Sequence, residues 1–407
     1  MTTKFWAAAL HIYIPSTLMM TGQGMIIPAL PALGETFGVS GAIAVQVVTA
    51  QQAGRFLSLI PTGALVDRWG SRLPMITGAS ISTVCLIASA VCPNFLLLLL
   101  MQFIWGFGQN MWMFSREIAA AEMVNAAQRG RALSTLMGVS SAGTAFGPAV
   151  GGLLTEPLGV RGLFMIFAAV SGVVLLISLA HQSAKVDRPK QPRSMFDFGT
   201  FREIHPYYRL TYFILFVATF GVLVRTQVTN TMLPLYAQEQ LGYSPTETGL
   251  LFTILGAATF AIILPAGFVS DKFGRKWVAA PAALIGGVSF LLLPAANTLL
   301  GLAFVLIFLG FASGMGMGSM TTYTFDIVPP HLRGHLQALR RTFGETGAIV
   351  GPLVAGAAAA AASPAFAFYV FVPLLLGGGV ALVLMAKEGL PSKRSQDAPP
   401  PAIERSL

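Results

Sequence analysis

The chain consists of long apolar segments separated by short polar ones, and this alternation limits its fold more than any other feature. Of its 407 residues, 55% are hydrophobic and only 10% are charged, whereas a soluble domain carries roughly 25% charged residues. A membrane-spanning helix needs about 20 consecutive apolar residues. Twelve segments meet that need, and we number them spans 1 to 12: 6–33, 42–66, 74–92, 95–118, 132–155, 161–181, 210–236, 247–270, 278–296, 298–324, 336–360 and 364–386. The sequence therefore predicts an all-α integral membrane protein with twelve transmembrane helices, and argues against a soluble enzyme or a nucleic-acid-binding protein.

The positive charges are distributed unevenly between the two ends of these spans. Of the 25 Lys and Arg residues, 21 lie in loops on one side, Arg161 lies on the other, and Arg55, Arg116 and Arg225 lie within spans. The excess of positive charge marks the cytoplasmic side of a membrane protein. We therefore expect a multi-pass protein of the cell (inner) membrane with both termini in the cytoplasm. Anionic lipid headgroups suffice as the partner of the net charge of +9, and no nucleic-acid partner is expected.

An internal repeat relates the two halves of the chain. The segment GALVDRWGSR begins at Gly63 and the similar segment GFVSDKFGRK begins at Gly267, 204 residues later. The same offset relates three further pairs: Gly106 and Gly310, Gly143 and Gly347, and Gly147-Pro148 and Gly351-Pro352. One register over this distance predicts two pseudo-symmetric halves of six helices each.

The repeat sets the predicted domain boundaries. An N-terminal six-helix bundle covers 1–181, a cytoplasmic linker 182–209, a C-terminal six-helix bundle 210–386 and a cytoplasmic tail 387–407. The composition of the linker fits either an amphipathic helix on the membrane surface or an irregular tether.

Two motifs in this framework resemble those of a known family. The loop from Gly63 to Arg72 resembles the signature loop of the major facilitator superfamily, and the segment from Gly143 to Gly152 resembles the span 5 motif of its twelve-helix proton-coupled drug antiporters. The resemblance implies a secondary transporter that works by alternating access. It also implies that Asp67 and Arg68, with Asp271 in the second copy, act as a cytoplasmic latch between the halves. The structural alternative is a solvated turn whose charges only obey the positive-inside rule.

Span 5 carries small residues at helical spacing. Gly143, Gly147 and Gly151 recur every four residues and so share one face, which allows close helix packing, and Pro148 removes a backbone hydrogen bond and bends the axis. This face serves either ordinary packing between spans or a gate that seals the halves against leakage. We expect Gly143, Gly147 and Pro148 to take part in gating.

An ionisable residue costs about 2.5–3.5 kcal/mol at mid-depth in a span, and we take five as functional candidates: Arg55, Arg116, Glu117, Arg225 and Glu345. We expect Glu117 or Glu345 to carry the coupled proton. Two structural alternatives remain open. Span 4 could end early and leave Arg116 and Glu117 at the headgroups, and Glu345 could simply pair with Arg341 one turn before it.

Span 4 also carries a polar and aromatic stripe. Gln102, Gln109 and Arg116 recur every seven residues, and Trp105 and Trp112 lie three residues after the two glutamines, so all five share a face. We expect this face to line a water-filled cavity. The predicted substrate-binding set is therefore Arg55, Gln102, Trp105, Gln109, Trp112, Arg116 and Arg225.

The chain departs from the drug-antiporter pattern in two places. Span 1 has no acidic residue before Glu35, where many such exporters carry a carboxylate within the membrane. Gln102 occupies the position, four residues before Gly106, at which those exporters carry an arginine. The usual proton-coupling arrangement is thus absent, and Arg116 with Glu117 is the candidate replacement.

These features together predict a proton-driven exporter of small amphipathic or anionic molecules. The alternatives are an organic-anion or metabolite importer or exchanger of the same superfamily, and a lipid translocator or a sensor that does not transport. The expected partners are a small-molecule substrate, protons and membrane lipid, with the protein acting as a monomer. No cofactor or metal is expected, and neither an ATP-binding P-loop nor a cluster of catalytic residues is visible in the sequence.

Overall fold

The computed structural model describes residues 9–122, 129–180, 203–329 and 332–389, and in these ranges the regular structure is helical, without β-strands. Span 1 is interrupted at its prolines. A π-helical turn Ala9–Tyr13 leads into helix α1, Ile14–Met25, and a 3-10 turn Ile27–Ala29 separates α1 from a short helix Leu30–Phe37. Pro28 and Pro31 lack the N–H that an unbroken helix would need there.

The other helices of the first half follow the predicted spans closely. A turn of helix, Gly41–Ala44, precedes α2, Gln46–Trp69, and α3 and α4 cover Arg72–Val91 and Phe95–Glu122. The helix Arg129–Ala180 contains two spans, because Gly159 adopts a non-helical conformation with φ 63° and ψ 179°. We call its two legs α5 (129–158) and α6 (160–180).

The second half contributes six further helices. They are α7 (Pro206–Leu235), which is followed by a π-helical turn Tyr236–Gln240, α8 (Pro245–Phe273), α9 (Lys276–Leu292), α10 (Leu299–Ile327), α11 (Arg333–Ala361) and α12 (Pro364–Leu384).

The helices have the length and surface of membrane spans. Within the described ranges nine helices are long and apolar enough to cross a membrane, or ten when the pair His11–Phe37 and Gly41–Val66, bent by 119°, is counted once. Each leg of that pair is long enough to cross alone, and Gly159 divides the long Thr135–Ala180 stretch into two. Large apolar side chains point outward, as with Leu264 at 83% and Leu300 at 84% exposure. The predicted all-α membrane fold of twelve helices is confirmed.

The chain divides into two compact units. Unit 1 comprises Met1–Lys190 and Leu233–Gly256, and unit 2 comprises Gln191–Met232 and Ala257–Leu407. In unit 1, α1 packs on the α5–α6 helix, α4 packs on both α2 and α3, and α3 packs on α6. In unit 2, α9 packs on α10 and α12, and α11 packs on α12.

The predicted domain boundaries remain a prediction, and the packing differs from them in one segment. Leu233–Gly256 follows the predicted linker in the chain but belongs to unit 1. Most of the linker, 182–202, and the tail beyond residue 389 lie outside the described residues.

Candidate transport site

The two glutamines of the α4 stripe make hydrogen bonds inside unit 1. Gln102 accepts a hydrogen bond from Gln51 of α2 (2.8 Å) and donates one to Ser89 of α3 (2.9 Å), so its amide joins three helices. Gln109 donates to the side-chain oxygen of Gln23 in α1 (2.7 Å). Both glutamine side chains are buried.

The two tryptophans of the stripe pack against α6. The ring of Trp105 lies edge-on to that of Phe167, with a centroid distance of 5.8 Å, and the indole N–H of Trp112 points at the hydroxyl of Ser178 at 3.4 Å. Both rings are 1% exposed. They contribute to the interior packing of the bundle.

The expectation that this stripe faces a water-filled cavity is wrong for this structure. Its five residues are at most 3% exposed: Gln102, Trp105, Gln109, Trp112 and Arg116. The physical reason is that side chains of neighbouring spans fill this face and hydrogen-bond to several of its polar groups, which is a common way to join helices in a membrane. Their assignment to substrate binding stays a prediction.

Arg116 is buried next to the carboxylate of the following residue, Glu117. Its guanidinium donates to Ser140 of α5 (3.3 Å), lies 5.0 Å from the ring centre of Trp112, and comes within 4.0 Å of Glu117. The Glu117 side chain is 32% exposed, against 3% for Arg116. The helix α4 continues past both residues to Glu122, and their depth in the membrane stays a prediction.

Arg55 of α2 is half-buried. Its guanidinium donates to Gln52 one turn earlier at 3.3 Å, and its buried Nε has no hydrogen-bond acceptor in the part of the chain that the structure describes. Arg55 therefore retains an unused donor on the face of α2 that also carries Gln51 and Ser58.

Arg225 lies inside unit 2 at 2% exposure. Its guanidinium donates to the carbonyl of Ala282 in α9 (3.1 Å) and to Ser313 in α10 (3.4 Å). Gly286 makes room for it, since a Cβ at that position would overlap the guanidinium. Among the described residues no ion pair involves Arg225, so its charge is stabilised by neutral oxygens.

Unit 2 contains a second buried cation that the topology inferred from the sequence does not predict. Arg340, which we counted with the cytoplasmic loops, is 3% exposed and donates to Thr219 of α7 and to Gln337 (3.1 Å to the latter). One signal was available, because Leu336, Arg340 and Gly344 follow each other at four-residue spacing on the face that packs on α7.

Glu345 of α11 lies near Arg341, one turn earlier. Their closest side-chain atoms are 3.9 Å apart, and the two side chains are 19% and 64% exposed. The structure therefore agrees with the expected pair at i,i+4, and the proton-carrying role of Glu345 stays a prediction.

The first copy of the latch motif is more helical than expected. We predicted a loop from Gly63 to Arg72, but α2 continues to Trp69 and the turn is confined to Gly70, with φ 80°, and Ser71. A Cβ on Gly63 would meet no atom within 4 Å, so no close approach requires that glycine. Arg68 is exposed, with its guanidinium 5.0 Å from the ring centre of Trp69. The side chain of Asp67 lies outside the described part of the chain.

The second copy carries an ion-pair network. Arg275 contacts Asp271 one turn before it and donates to Asp326 at the end of α10 (2.8 Å). Burial alone would lower the pKa of Arg275, but hydrogen bonds and charge interactions with Asp326 and Asp271 outweigh it, so the pKa is raised. Arg275 therefore stays charged and keeps α8, α9 and α10 together at this end of unit 2.

A carboxylate from the segment that follows α12 completes this network. One oxygen of Glu388 accepts from the backbone N–H of Arg275 (2.9 Å), and the other accepts from that of Lys276 (3.2 Å). These N–H groups open α9, where the helix dipole also favours a negative charge. Gly274, with φ 123°, leaves space for the carboxylate, since a Cβ there would overlap it.

The glycines of α5 pack directly on α1. A Cβ on Gly143 would lie 2.6 Å from the carbonyl oxygen of Thr17, and one on Gly147 would lie 2.5 Å from that of Thr21. Side chains do not tolerate such distances, so the two backbones touch only because these residues are glycine. The predicted close packing at this face is confirmed.

The neighbouring face of α5 packs on α8 within unit 1. Gly249 contacts the carbonyl of Pro148, and a Cβ on Gly256 would lie 2.6 Å from the Cβ of Ala145. Thr246 donates to Glu156 at 2.9 Å. The motif of span 5 thus has small residues against both α1 and the first turns of α8.

The family of the chain follows from its match to a known family model. The chain matches the family model of the Major Facilitator Superfamily over residues 12–224 and again over residues 215–406. The chain belongs to the major facilitator superfamily. One match to each half agrees with the 204-residue repeat in the sequence.

Similar proteins of this superfamily cover nearly the whole chain. It is 24% identical over 383 residues to the quinolone resistance protein NorA of Staphylococcus aureus, covering 91% of this chain and 93% of NorA. It is 22% identical over 397 residues to multidrug resistance protein 2 of Bacillus subtilis strain 168, covering 93% of each. The chain is thus a multi-pass transporter of the cell membrane that moves small molecules, and its family is one of transporters and not of enzymes.

Solved structures of the superfamily share the fold. A D-xylose-proton symporter superimposes with a TM-score of 0.74 at 16% identity, over 95% of this chain and 99% of the symporter. The nucleoside transporter NupG gives 0.77 at 18% identity, over 93% and 99%. At these sequence identities, the structural similarity supports the fold of this major facilitator and nothing beyond the fold.

Proposed function

We propose that this transporter exports small amphipathic or anionic molecules, is driven by protons and works by alternating access as a monomer. The similarity to proteins named for quinolone and multidrug resistance supports export. The 21 Lys and Arg on one side of the spans support a topology with both termini in the cytoplasm.

The packing of α5 is the observation that carries this proposal. Its small residues contact α1 on one face and α8 on the next, so α5 closes the space between elements of the two predicted halves. The positive-inside rule assigns this end to the outside. We call these contacts of α5 with α1 and α8 the outer seal, defined by Gly143, Gly147, Pro148 and Gly152. A seal of this kind suits an exporter, because it limits the return of substrate and protons.

Glu117 is the proposed proton carrier. Its carboxylate is partly exposed and lies 4.0 Å from Arg116, whose guanidinium also contacts the hydroxyl of Ser140 and the ring of Trp112. A proton on Glu117 would leave a buried cation without its nearest anion, which is costly at this depth. Arg116 would then shift relative to Ser140. A change in the protonation of Glu117 in α4 would in this way alter a contact with α5. Glu345 beside Arg341 is the second candidate.

An accumulation assay tests the coupling. Cells that express the protein should accumulate less ethidium and less of a fluoroquinolone than cells without it, and dissipating the proton gradient should abolish the difference. Glu117→Gln should reduce export at least tenfold. The matched control is Glu247→Gln at the start of α8, where the glutamine oxygen can still accept from the backbone N–H of Ser244. Equal export by Glu117→Gln and Glu247→Gln would contradict the coupling role.

The buried arginines favour one second function, an exchanger or importer of organic anions. Arg225 and Arg340 are each almost fully buried in unit 2, and among the described residues neither forms an ion pair. An anionic substrate could supply the missing negative charge in another state of the cycle. Substrate-dependent uptake of an organic anion that Arg225→Met abolishes, without loss of folded protein, would favour this function over export.

A further inference from the structure

A single amide side chain joins the break in span 1 to the start of α8. The Nε2 of Gln238, in the turn Tyr236–Gln240 after α7, donates to the carbonyl oxygen of Pro28 at 2.7 Å. Pro28 lies in the 3-10 turn between α1 and the helix Leu30–Phe37. The bond therefore holds span 1 at the point where its own helical hydrogen bonding is interrupted.

The same nitrogen also reaches α8. Gln238 donates to the hydroxyl of Thr248 at 3.2 Å, and that hydroxyl donates in turn to the carbonyl of Ser244 at 3.0 Å. Thr248 is fully buried and Gln238 half-buried. One amide group thus uses both its hydrogens, one on the break in span 1 and one on the first turn of α8.

A second polar contact lies beside it. Thr246 donates to Glu156 at the end of α5, next to the point where Gly249 meets the carbonyl of Pro148. The outer seal itself is defined by three glycines and a proline, whose side chains make no directional contacts. Small apolar surfaces can slide on one another, whereas a hydrogen bond has a defined length and angle. The polar contacts therefore determine the register in which the seal closes.

We propose that Gln238 is the positioning residue of the outer seal, whose amide stabilises the state in which span 1 and α8 are held together. The hydrogen bond to Pro28 must break when those elements separate, whereas the bond to Thr248 holds the amide in place from its own side. Because an amide is neutral, their strength does not change with the proton gradient. The proposal rests on the alternating access proposed above, but not on export or on proton coupling.

Cysteine accessibility tests this role. Ala149→Cys places a thiol on α5 where its backbone meets Gly249. The protein has two native cysteines, Cys85 and Cys92, which are buried and free, so protein without the new thiol gives the background. The full-length protein in nanodiscs is labelled with a bulky, membrane-impermeant maleimide. Adding Gln238→Met, which keeps the volume but removes both donors, should raise the labelling rate about tenfold.

Two further variants make the result decisive. Glu247→Gln in the first turn of α8 keeps a side-chain oxygen that accepts from the backbone N–H of Ser244, and it should change the labelling rate less than twofold. Thr248→Val removes one of the two acceptors and should raise the rate about threefold, which provides a second test if Gln238→Met does not fold. Equal rates in the parent, Gln238→Met and Thr248→Val would overturn the proposal. The assay needs neither substrate nor gradient, so a failure of the proposed export leaves its outcome unaffected.

Discussion

The turn between α8 and α9 allows a quantitative test of the contact made by Glu388. In Gly274→Ala the new residue must adopt a φ of 123°, which costs an alanine about 1–2 kcal/mol. Its Cβ would also overlap the carboxylate of Glu388, and losing a cap of this kind costs about 0.5–2 kcal/mol. We therefore expect a loss of roughly 2–4 kcal/mol in the free energy of unfolding and a fall in Tm of about 5 °C.

Gly267 in the same motif copy is the matched control. It lies inside α8, and a Cβ there would meet no atom within 4 Å. Gly267→Ala should therefore stabilise the protein by about 0.5–1 kcal/mol, because alanine loses less conformational freedom in a helix. Both variants are measured by thermal unfolding of the detergent-solubilised protein, followed by tryptophan fluorescence. In a protein that already carries Glu388→Ala, adding Gly274→Ala should lower the free energy of unfolding only by the cost of its backbone strain. A Tm for Gly274→Ala equal to that of Gly267→Ala would refute the reasoning.

Three further outcomes follow from the packing of buried groups. Gly147→Val should destabilise the protein by about 1–3 kcal/mol through overpacking against Thr21, whereas Gly138→Ala, with open space around its Cβ, should leave Tm unchanged or higher. Gly286→Ala should lower Tm because its Cβ displaces the guanidinium of Arg225, and Arg225→Met in the same protein should restore part of the loss. Arg225→Met alone should not lower Tm, since it removes a buried charge that has no ionic partner in the described ranges; a clear fall in Tm would show that its neutral hydrogen bonds outweigh that cost.

The helices could be predicted from the sequence because each apolar run must satisfy its backbone inside a membrane, and a helix does so locally. Gly159 and the prolines of span 1 lie where the helices break. The ends of α2 were harder to predict. Gly63 and Gly70 look alike in the sequence, but only Gly70 has a positive φ, and the helix continues past Asp67 to Trp69.

The surroundings of the candidate site residues were less predictable from the sequence. The spacing of the α4 stripe correctly predicts that Gln102, Gln109 and Arg116 share a buried face, but spacing cannot distinguish a face in contact with protein from one that lines water. That difference depends on Gln51, Ser89 and other partners far along the chain. Arg340 was missed for a related reason, since an arginine next to another at the end of a span looks like a topology signal.

The amide contacts of α4 have a consequence for how the protein responds to pH. Gln51, Gln102 and Ser89 join α2, α4 and α3, and Gln23 with Gln109 joins α1 to α4. None of these side chains ionises in the physiological range. Where related exporters carry an arginine, Gln102 gives this chain a neutral junction. These contacts between the first four helices therefore stay the same whichever way the gradient is directed, and they form a proton-insensitive frame against which the few carboxylates can move.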